Sequence, residues 1–86
     1  MQTPHAPVAF YQNLGRWLRQ VREERGISQE KMGPLLDVAF QQIQKYENGA
    51  NRIPVDKLVL FCKATGAKVV SAIRAAEGLN KMKDPA

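Results

Sequence analysis

Large hydrophobic side chains recur along the first third of the chain at the spacing of one helix face. They are Phe10, Leu14, Trp17, Leu18 and Val21, at i, i+4, i+7, i+8 and i+11. Polar and charged residues fill the positions between them. The pattern predicts a helix from about residue 8 to Arg25, which Gly26 ends.

The remaining segments predict four shorter helices, at about residues 29–36, 40–47, 55–65 and 69–79. Ser28 is suited to cap the start of the second helix, whereas Asn48-Gly49 and Gly66 are suited to end the third and the fourth. Core spacing is found at these positions of the last two helices: Leu58, Phe61 and Cys62, then Val70, Ile73 and Ala76 or Glu77. Because no useful stretch alternates with period two, the fold class predicted is all-α, a compact five-helix domain.

The two ends of the chain have little to bury. Residues 1–7, MQTPHAP, contain two prolines and predict a flexible N-terminal arm, and residues 81–86 predict a flexible C-terminal tail. Residues 8–80 would then form one domain, as expected of a chain of 86 residues. The single cysteine fits a reducing compartment. No signal peptide or membrane-length apolar run is present, so the predicted location is the cytoplasm.

The segment VAFQQIQKYENG, residues 38–49, places three glutamines on a short predicted helix. This predicted helix follows another short helix, and a tight turn at Asp37-Val38 separates the two. The two helices and the turn together predict a helix-turn-helix. Glutamine offers a donor and an acceptor together and pairs bidentately with adenine in the major groove of DNA. The amides are therefore interpreted as contacts to base edges. The alternative is that they form a solvated helix face.

The charge is distributed unevenly along the chain, whose formal net charge is +5. Residues 28–49 carry two lysines against three carboxylates, a net charge of 2 − 3 = −1. The excess lies before this segment, in Arg16, Arg19, Arg22 and Arg25, and after it, from Arg52 onward. If the partner is a polyanion, the helix-turn-helix would contact bases while its neighbours hold the backbone.

Three segments together resemble a known family. They are GISQEKM at residues 26–32, VAFQQIQKYENG at residues 38–49, and the loop and helix that lead to Thr65-Gly66. The combination resembles the phage-repressor class of helix-turn-helix proteins, the Cro-like and lambda-repressor-like regulators of the XRE family. The resemblance covers roughly residues 10–75 and implies a lambda-repressor-like fold that binds double-stranded DNA.

The resemblance also implies roles for particular residues. Base-reading roles fall on Phe40, Gln41, Gln44 and Lys45. DNA-backbone roles fall on Gln29, Gln42, Asn51 and Arg52, and Gln29 would also brace the third helix. Arg22 and Glu47 correspond to a structural ion pair that fastens the first helix to the third. Phe40 has two open interpretations, because it would pack either on a thymine methyl or back on the core.

Three residues depart from the family pattern. Pro34 lies beyond the first turn of the second helix, where proline removes a backbone donor, so a kink or a loose first turn is expected. Asp37 stands where the family commonly has glycine, although Asp is among the better substitutes for a positive φ. Ala39 replaces the usual Ser or Thr cap of the third helix.

The function predicted is a transcriptional regulator, a repressor that binds an inverted-repeat operator as a homodimer. The dimer contact is expected on the fifth helix and its neighbourhood, at Val69, Ile73, Ala76 and Leu79; the alternative is a dimer that forms only on DNA. The alternative function is an antitoxin, whose main partner is a toxin protein and whose arm or tail orders on it. One histidine, one cysteine and no phosphate-binding loop argue against an enzyme, a cofactor or a metal site. No membrane partner is expected.

Overall fold

Five helices follow one another in the computed structural model, which describes residues 8–79 and contains no strand in that range. They are α1 (Val8–Glu24), α2 (Gln29–Leu36), α3 (Phe40–Glu47), α4 (Val55–Thr65) and α5 (Val69–Ala76). The first four have the bounds that the sequence predicts, to within one residue. The predicted arm at residues 1–7 and tail at residues 81–86 lie outside the described residues.

The core is built on the face of α1 that the hydrophobic spacing predicts. Leu14, Trp17, Leu18 and Val21 are buried, and Phe10 is half-buried at the edge of the core. The Trp17 ring lies 5.9 Å from the ring of Phe61 on α4. Each fully buried side chain of this size contributes roughly 1.5–3 kcal/mol to folding. Trp17 is therefore a core residue, as predicted.

α1 and the end of α3 approach each other closely at Gly15, a contact that the sequence analysis missed. A Cβ atom added to Gly15 would lie 2.6 Å from the carbonyl oxygen of Tyr46, and closer still to that of Glu47. These are backbone atoms, which cannot move aside without shifting the helix. Only glycine permits this approach, which positions α3 relative to α1.

The first turn of α2 is closed by two hydrogen bonds at Ser28. The Ser28 Oγ accepts from the Lys31 backbone N–H at 3.1 Å, and the Ser28 carbonyl accepts from that of Met32 at 2.9 Å. Ser28 is thus the N-cap, as predicted. The helix assignment continues through Pro34 to Leu36. Of the two outcomes expected from Pro34, a kink or a loose first turn, the loose first turn is wrong, because the cap closes that turn ahead of the proline.

α5 differs from the prediction in its length and in the face that it buries. The helix ends at Ala76 rather than near Leu79, and Gly78 follows with a φ of 76°. Its buried residues are Ser71, Ala72 and Ala76, whereas Val70 is 58% exposed and Ile73 is 38% exposed. The face that the spacing of Val70 and Ile73 marks is therefore not the face that α5 buries. Small side chains face inward because α5 packs mainly against α1, where the helices lie close together.

The end of α4 is held by Arg25, the residue that directly follows α1. The Arg25 Nε donates to the Thr65 carbonyl oxygen at 2.7 Å, where a cation also offsets the negative end of the helix dipole. Leu58, Phe61 and Cys62 of α4 are buried, as their spacing predicts. Burial raises the pKa of the Cys62 thiol, so the residue behaves as a small hydrophobic side chain.

Candidate nucleic-acid interface

The turn between α2 and α3 is tight because two residues permit it. The Val38 backbone N–H donates to the Gly33 carbonyl oxygen at 2.9 Å, and a Cβ atom at Gly33 would lie 2.7 Å from the Val38 carbonyl oxygen. Asp37 adopts a left-handed conformation with a φ of 58°. Ala39 forms no side-chain cap at the start of α3. Gly33 and Asp37 thereby determine how α3 leaves α2.

α3 presents two chemically different faces. Its inner face is formed by Ile43, Tyr46 and Glu47, all of which are buried. The exposed side chains lie at i, i+3 and i+4 and share one outward face: Gln41, Gln44 and Lys45. Phe40 and Gln42 are half-buried at its margins. The outward face is one turn of helix with amides and one cation, which suits the hydrogen-bonding edges of bases.

Phe40 lies between its two proposed environments. It is half-buried, yet it is not among the partly buried hydrophobic residues that pack against the core cluster. Its backbone nitrogen is close to Gly33, at 3.2 Å from the position of an added Cβ atom. Phe40 thus begins α3 directly beside α2 and is only half-buried there.

Arg22 of α1 and Glu47 of α3 form a buried, two-pronged ion pair. Arg22 Nε donates to Glu47 Oε2 at 2.6 Å, and Nη2 donates to Oε1 at 3.1 Å. The remaining Nη1 donates to the Ile27 carbonyl oxygen at 2.8 Å. The hydrogen bond with Glu47 raises the pKa of Arg22 above its usual value, against the opposing effect of burial. The pair therefore fastens the end of α3 to α1 with defined geometry.

Gln29, at the start of α2, contacts the same carboxylate. Its Nε2 donates to Glu47 Oε1 at 3.0 Å, so one carboxylate on α3 is bound by both α1 and α2. A carboxamide nitrogen carries two hydrogens, and the second remains for another acceptor. This geometry is compatible with both roles that the resemblance implies for Gln29, namely bracing α3 and donating to a phosphate.

Gln42 and Tyr46 are neighbours on successive turns of α3. Burial and the charge of Asp56 raise the pKa of the Tyr46 phenol, and a hydrogen bond with Gln42 opposes that rise. Tyr46 is a core residue, with 7% of its surface exposed. The Gln42 amide therefore lies near enough to the Tyr46 phenol to affect its ionisation.

The loop after α3 is fixed to its surroundings on both sides of Arg52. The Asn51 backbone N–H donates to the Lys45 carbonyl oxygen at 3.1 Å, and Ile53 is buried. The exposed Arg52 guanidinium lies over the ring of Tyr11 on α1, with 5.1 Å between its Cζ and the ring centroid. Asn51 is also exposed. The sequence analysis missed Tyr11, because no spacing rule connects the start of α1 with this loop.

The arginines that precede the helix-turn-helix, three in α1 and Arg25 directly after it, make contacts within the fold. Arg16 donates to Asn13, Arg19 pairs with Glu23 at 3.0 Å, and Arg22 and Arg25 make the contacts given above. The sequence predicts that these arginines hold a polyanion. Arg16 and Arg19 remain exposed, so that role stays a prediction for these two, whereas the Arg22 guanidinium is buried in its pair with Glu47.

Two further properties of residues 8–79 bear on function. None of these helices is long and apolar enough to cross a membrane. Nor do His, Cys, Asp and Glu side chains within that range form a group of three or more that would suit a metal ion.

A family model described as Helix-turn-helix matches residues 18–70, which is more than half of the chain. The match includes α2, the turn, α3 and the loop with Arg52, which are the parts that the geometry singles out. The chain therefore belongs to the XRE-type helix-turn-helix family. The resemblance stated from the sequence is thereby confirmed, together with the all-α fold class.

Similar proteins are named as regulators. The chain is 38% identical over 82 residues to an uncharacterized HTH-type transcriptional regulator, y4wC, of Sinorhizobium fredii, across 95% of this chain and 56% of that protein. It is 34% identical over 68 residues to another such regulator of Rickettsia conorii, across 79% of this chain and 54% of that protein. The chain thus spans about half the length of these relatives.

Solved structures support the fold. The clp gene regulator ClgR from Corynebacterium glutamicum superposes with a TM-score of 0.75 at 24% identity, over 86% of this chain and 78% of that chain. At this identity the likeness shows a shared helical fold alone.

Proposed function

We propose that this protein is a sequence-specific, double-stranded DNA-binding transcriptional regulator whose helix α3 enters the major groove. The observation that carries the proposal is the division of α3 into two faces. Ile43, Tyr46 and Glu47 hold the helix to the domain, whereas the amides and the cation at Gln41, Gln44 and Lys45 are exposed together. The names of the relatives support a regulatory role for such a domain.

The outward side chains match base edges chemically. Gln41 and Gln44 each offer a donor and an acceptor, which suits bidentate pairing with adenine N6 and N7. Lys45 is a donor suited to the O6 and N7 acceptors of guanine. Phe40, partly open to solvent at the start of the helix, would contact a thymine methyl group. These four residues are the proposed base-reading set.

The proposed contacts to the DNA backbone lie on both flanks of α3. Gln29 has a second amide hydrogen beyond the one that Glu47 accepts, and Asn51 and Arg52 are exposed in the fixed loop. Gln42, half-buried at the margin of the outward face, belongs to this proposed set as well. Such contacts would set the orientation of α3 without selecting a sequence.

We further propose that the protein acts as a repressor and binds an inverted repeat as a homodimer. α5 and the segment that follows it expose four apolar side chains: Val69, Val70, Ile73 and Leu79. Ala76, which the sequence analysis assigned to this contact, is 1% exposed and faces the core instead, so that assignment is wrong. Two copies joined here would place two α3 helices in successive major grooves, about 10 bp apart.

The test is selection of bound sequences from a random duplex pool at one near-physiological salt concentration. An enriched inverted repeat is expected, with half-sites about one helical turn apart. Gln41→Ala should weaken binding and relax preference at one position of each half-site. Gln20→Ala is the matched control, because Gln20 is an exposed glutamine on α1, outside the helix-turn-helix.

Failure of this selection would be informative. Enrichment of no sequence would contradict sequence-specific recognition, since a net charge of +5 alone gives only non-specific attraction to DNA. That outcome would favour the alternative, an antitoxin whose main partner is a toxin protein. An enriched single half-site would contradict the dimer while leaving DNA recognition intact.

A further inference from the structure

We propose that Tyr11 is a positioning residue for DNA binding, whose ring holds the Arg52 guanidinium in the direction from which it contacts the DNA backbone. The inference rests on the proposed function, in which Arg52 donates to a phosphate. It assigns to the start of α1 a part in DNA binding that neither the helix-turn-helix nor the charge of α1 indicates.

The geometry of the pair supports this role. The Arg52 Cζ lies 5.1 Å from the centroid of the Tyr11 ring, within the range of a cation–π contact. Arg52 is exposed, so its guanidinium has an open side that is available to another group. A planar cation resting on a ring keeps its edge N–H groups free, and these are the groups that donate to phosphate oxygens.

The Tyr11 ring is fixed without help from Arg52. It packs against the core cluster, and its centroid lies 5.0 Å from that of Phe10 in an edge-on arrangement. Tyr11 is half-buried rather than freely exposed. The ring therefore provides a fixed surface, and its phenolic hydroxyl is not needed for the contact with the cation.

The backbone that carries Arg52 is fixed as well. The preceding residue, Asn51, is bonded to Lys45 at the end of α3, and the following residue, Ile53, is buried. Earlier in the same loop, a Cβ atom at Gly49 would lie 3.0–3.3 Å from atoms of Gln12, the neighbour of Tyr11 on α1. The loop thus rests on the first turns of α1, and the side chain of Arg52 is the part that the ring must order.

The consequence concerns affinity. A free arginine side chain has many rotamers, and ordering it on binding opposes association. A ring that already holds the guanidinium in the free protein reduces the entropy that Arg52 loses on binding. Exposed cation–π contacts correspond to about a two- to fivefold change in an equilibrium constant. The expected contribution of Tyr11 to DNA affinity is of this size.

The experiment is a double-mutant cycle between Tyr11 and Arg52, with binding to the selected duplex measured by fluorescence anisotropy. Tyr11→Leu is expected to raise the Kd about two- to fivefold, whereas Tyr11→Phe, which keeps the ring, leaves it unchanged. Arg52→Ala is expected to raise the Kd. It should also make the slope of log K against log salt less steep, by about one. In the Arg52→Ala background, Tyr11→Leu should have no further effect.

Each contrary outcome has a distinct meaning. If Arg52→Ala changes neither the Kd nor the salt slope, the backbone role of Arg52 in the proposed function fails, and the role of Tyr11 fails with it. If Arg52→Ala weakens binding but Tyr11→Leu does not, only the inference about Tyr11 is overturned. If Tyr11→Leu weakens binding equally in both backgrounds, Tyr11 acts independently of Arg52, which also overturns the inference.

A measurement on the unmodified protein covers the case in which Tyr11→Leu unfolds. Ring currents should shift the Arg52 side-chain proton resonances upfield in the free protein, and Tyr11→Phe should preserve that shift. Random-coil positions for these resonances would overturn the inference without any destabilising variant. Circular dichroism melting of every variant separates loss of folding from loss of binding.

Discussion

The Glu47 carboxylate joins three helices, since it lies on α3 and accepts from Arg22 of α1 and Gln29 of α2. A buried ion pair of this kind gives little net stability over an apolar pair of the same size. Removing one partner is a different matter, because the other charge is then left in the interior without compensation. The importance of Glu47 lies in that asymmetry.

We therefore expect Glu47→Ala to lower the free energy of unfolding by about 3–5 kcal/mol, because Arg22 loses its buried partner. Gln41→Ala, on the exposed face of the same helix, should change it by less than about 0.5 kcal/mol. Urea unfolding followed by Trp17 fluorescence measures both, because Trp17 is buried in the core. Equal midpoints for Glu47→Ala and the unmodified protein would contradict a structural role for the pair.

Asp37 is the one described non-glycine residue with a positive φ, at 58°. Asp37→Gly should raise the free energy of unfolding by roughly 0.5–1 kcal/mol, since glycine adopts this conformation without strain. Gly26→Ala is the reciprocal control, because its φ is 69° and an added Cβ atom would meet nothing within 4 Å. It should destabilise by a similar amount through backbone strain alone. Thermal melting without DNA tests both, and a lower melting temperature for Asp37→Gly would contradict the argument.

At the scale of whole elements, the packing of α1 against α3 depends on Gly15. Alanine favours helices over glycine by about 1 kcal/mol, so propensity alone predicts that Gly15→Ala is stabilising. We expect the opposite, a loss of about 1–3 kcal/mol, because the added carbon would collide with the carbonyl groups of Tyr46 and Glu47. Gln20→Ala, an exposed change on the same helix, should be nearly neutral. Circular dichroism melting decides the sign, and a stabilised Gly15→Ala would show that α3 moves aside easily.

The elements themselves could be predicted from the sequence because their signals are local. The apolar spacing of α1, the cap at Ser28 and the glycines after α3 and α4 each act within a few residues. The burial of α5 could not be predicted in this way. Val70 and Ile73 have the spacing of a core face, but the contact with α1 admits only small side chains, so Ala72 and Ala76 face inward. The distance between two helices is a tertiary property that hydrophobic periodicity does not contain.

The candidate site also combines features with local sequence signals and features that depend on tertiary contacts. Its outward residues on α3 could be named from the run of glutamines and from the family resemblance, and helical spacing explains why Gln41, Gln44 and Lys45 share a face. Its supports could be named only in part. The resemblance supplied Arg22 and Glu47, whereas Tyr11 under Arg52 and Gly15 behind α3 depend on contacts between segments more than 30 residues apart.

At the scale of the whole molecule, the exposed apolar residues of α5 bear on self-association. Ile73→Ser should weaken the proposed dimer and raise the Kd for the full inverted repeat, while binding to a single half-site is unchanged. Leu60→Ser is the matched control, since Leu60 is 37% exposed on α4 and Ile73 is 38% exposed on α5. Sedimentation equilibrium, with titrations of full and half sites, tests this. Equal self-association in the two variants would place the dimer contact elsewhere.

The two faces of α3 have a consequence for how this domain can change. The residues that hold the helix in place, Ile43, Tyr46 and Glu47, are separate from the outward positions proposed to contact bases. Substitutions at Gln41, Gln44 and Lys45 can therefore accumulate without first being compensated in the core. A library randomised at those three positions should consist largely of folded proteins, from which variants with new DNA preferences can be selected directly. In this helix, the positions that stabilise the fold and the positions proposed to contact bases can therefore evolve separately.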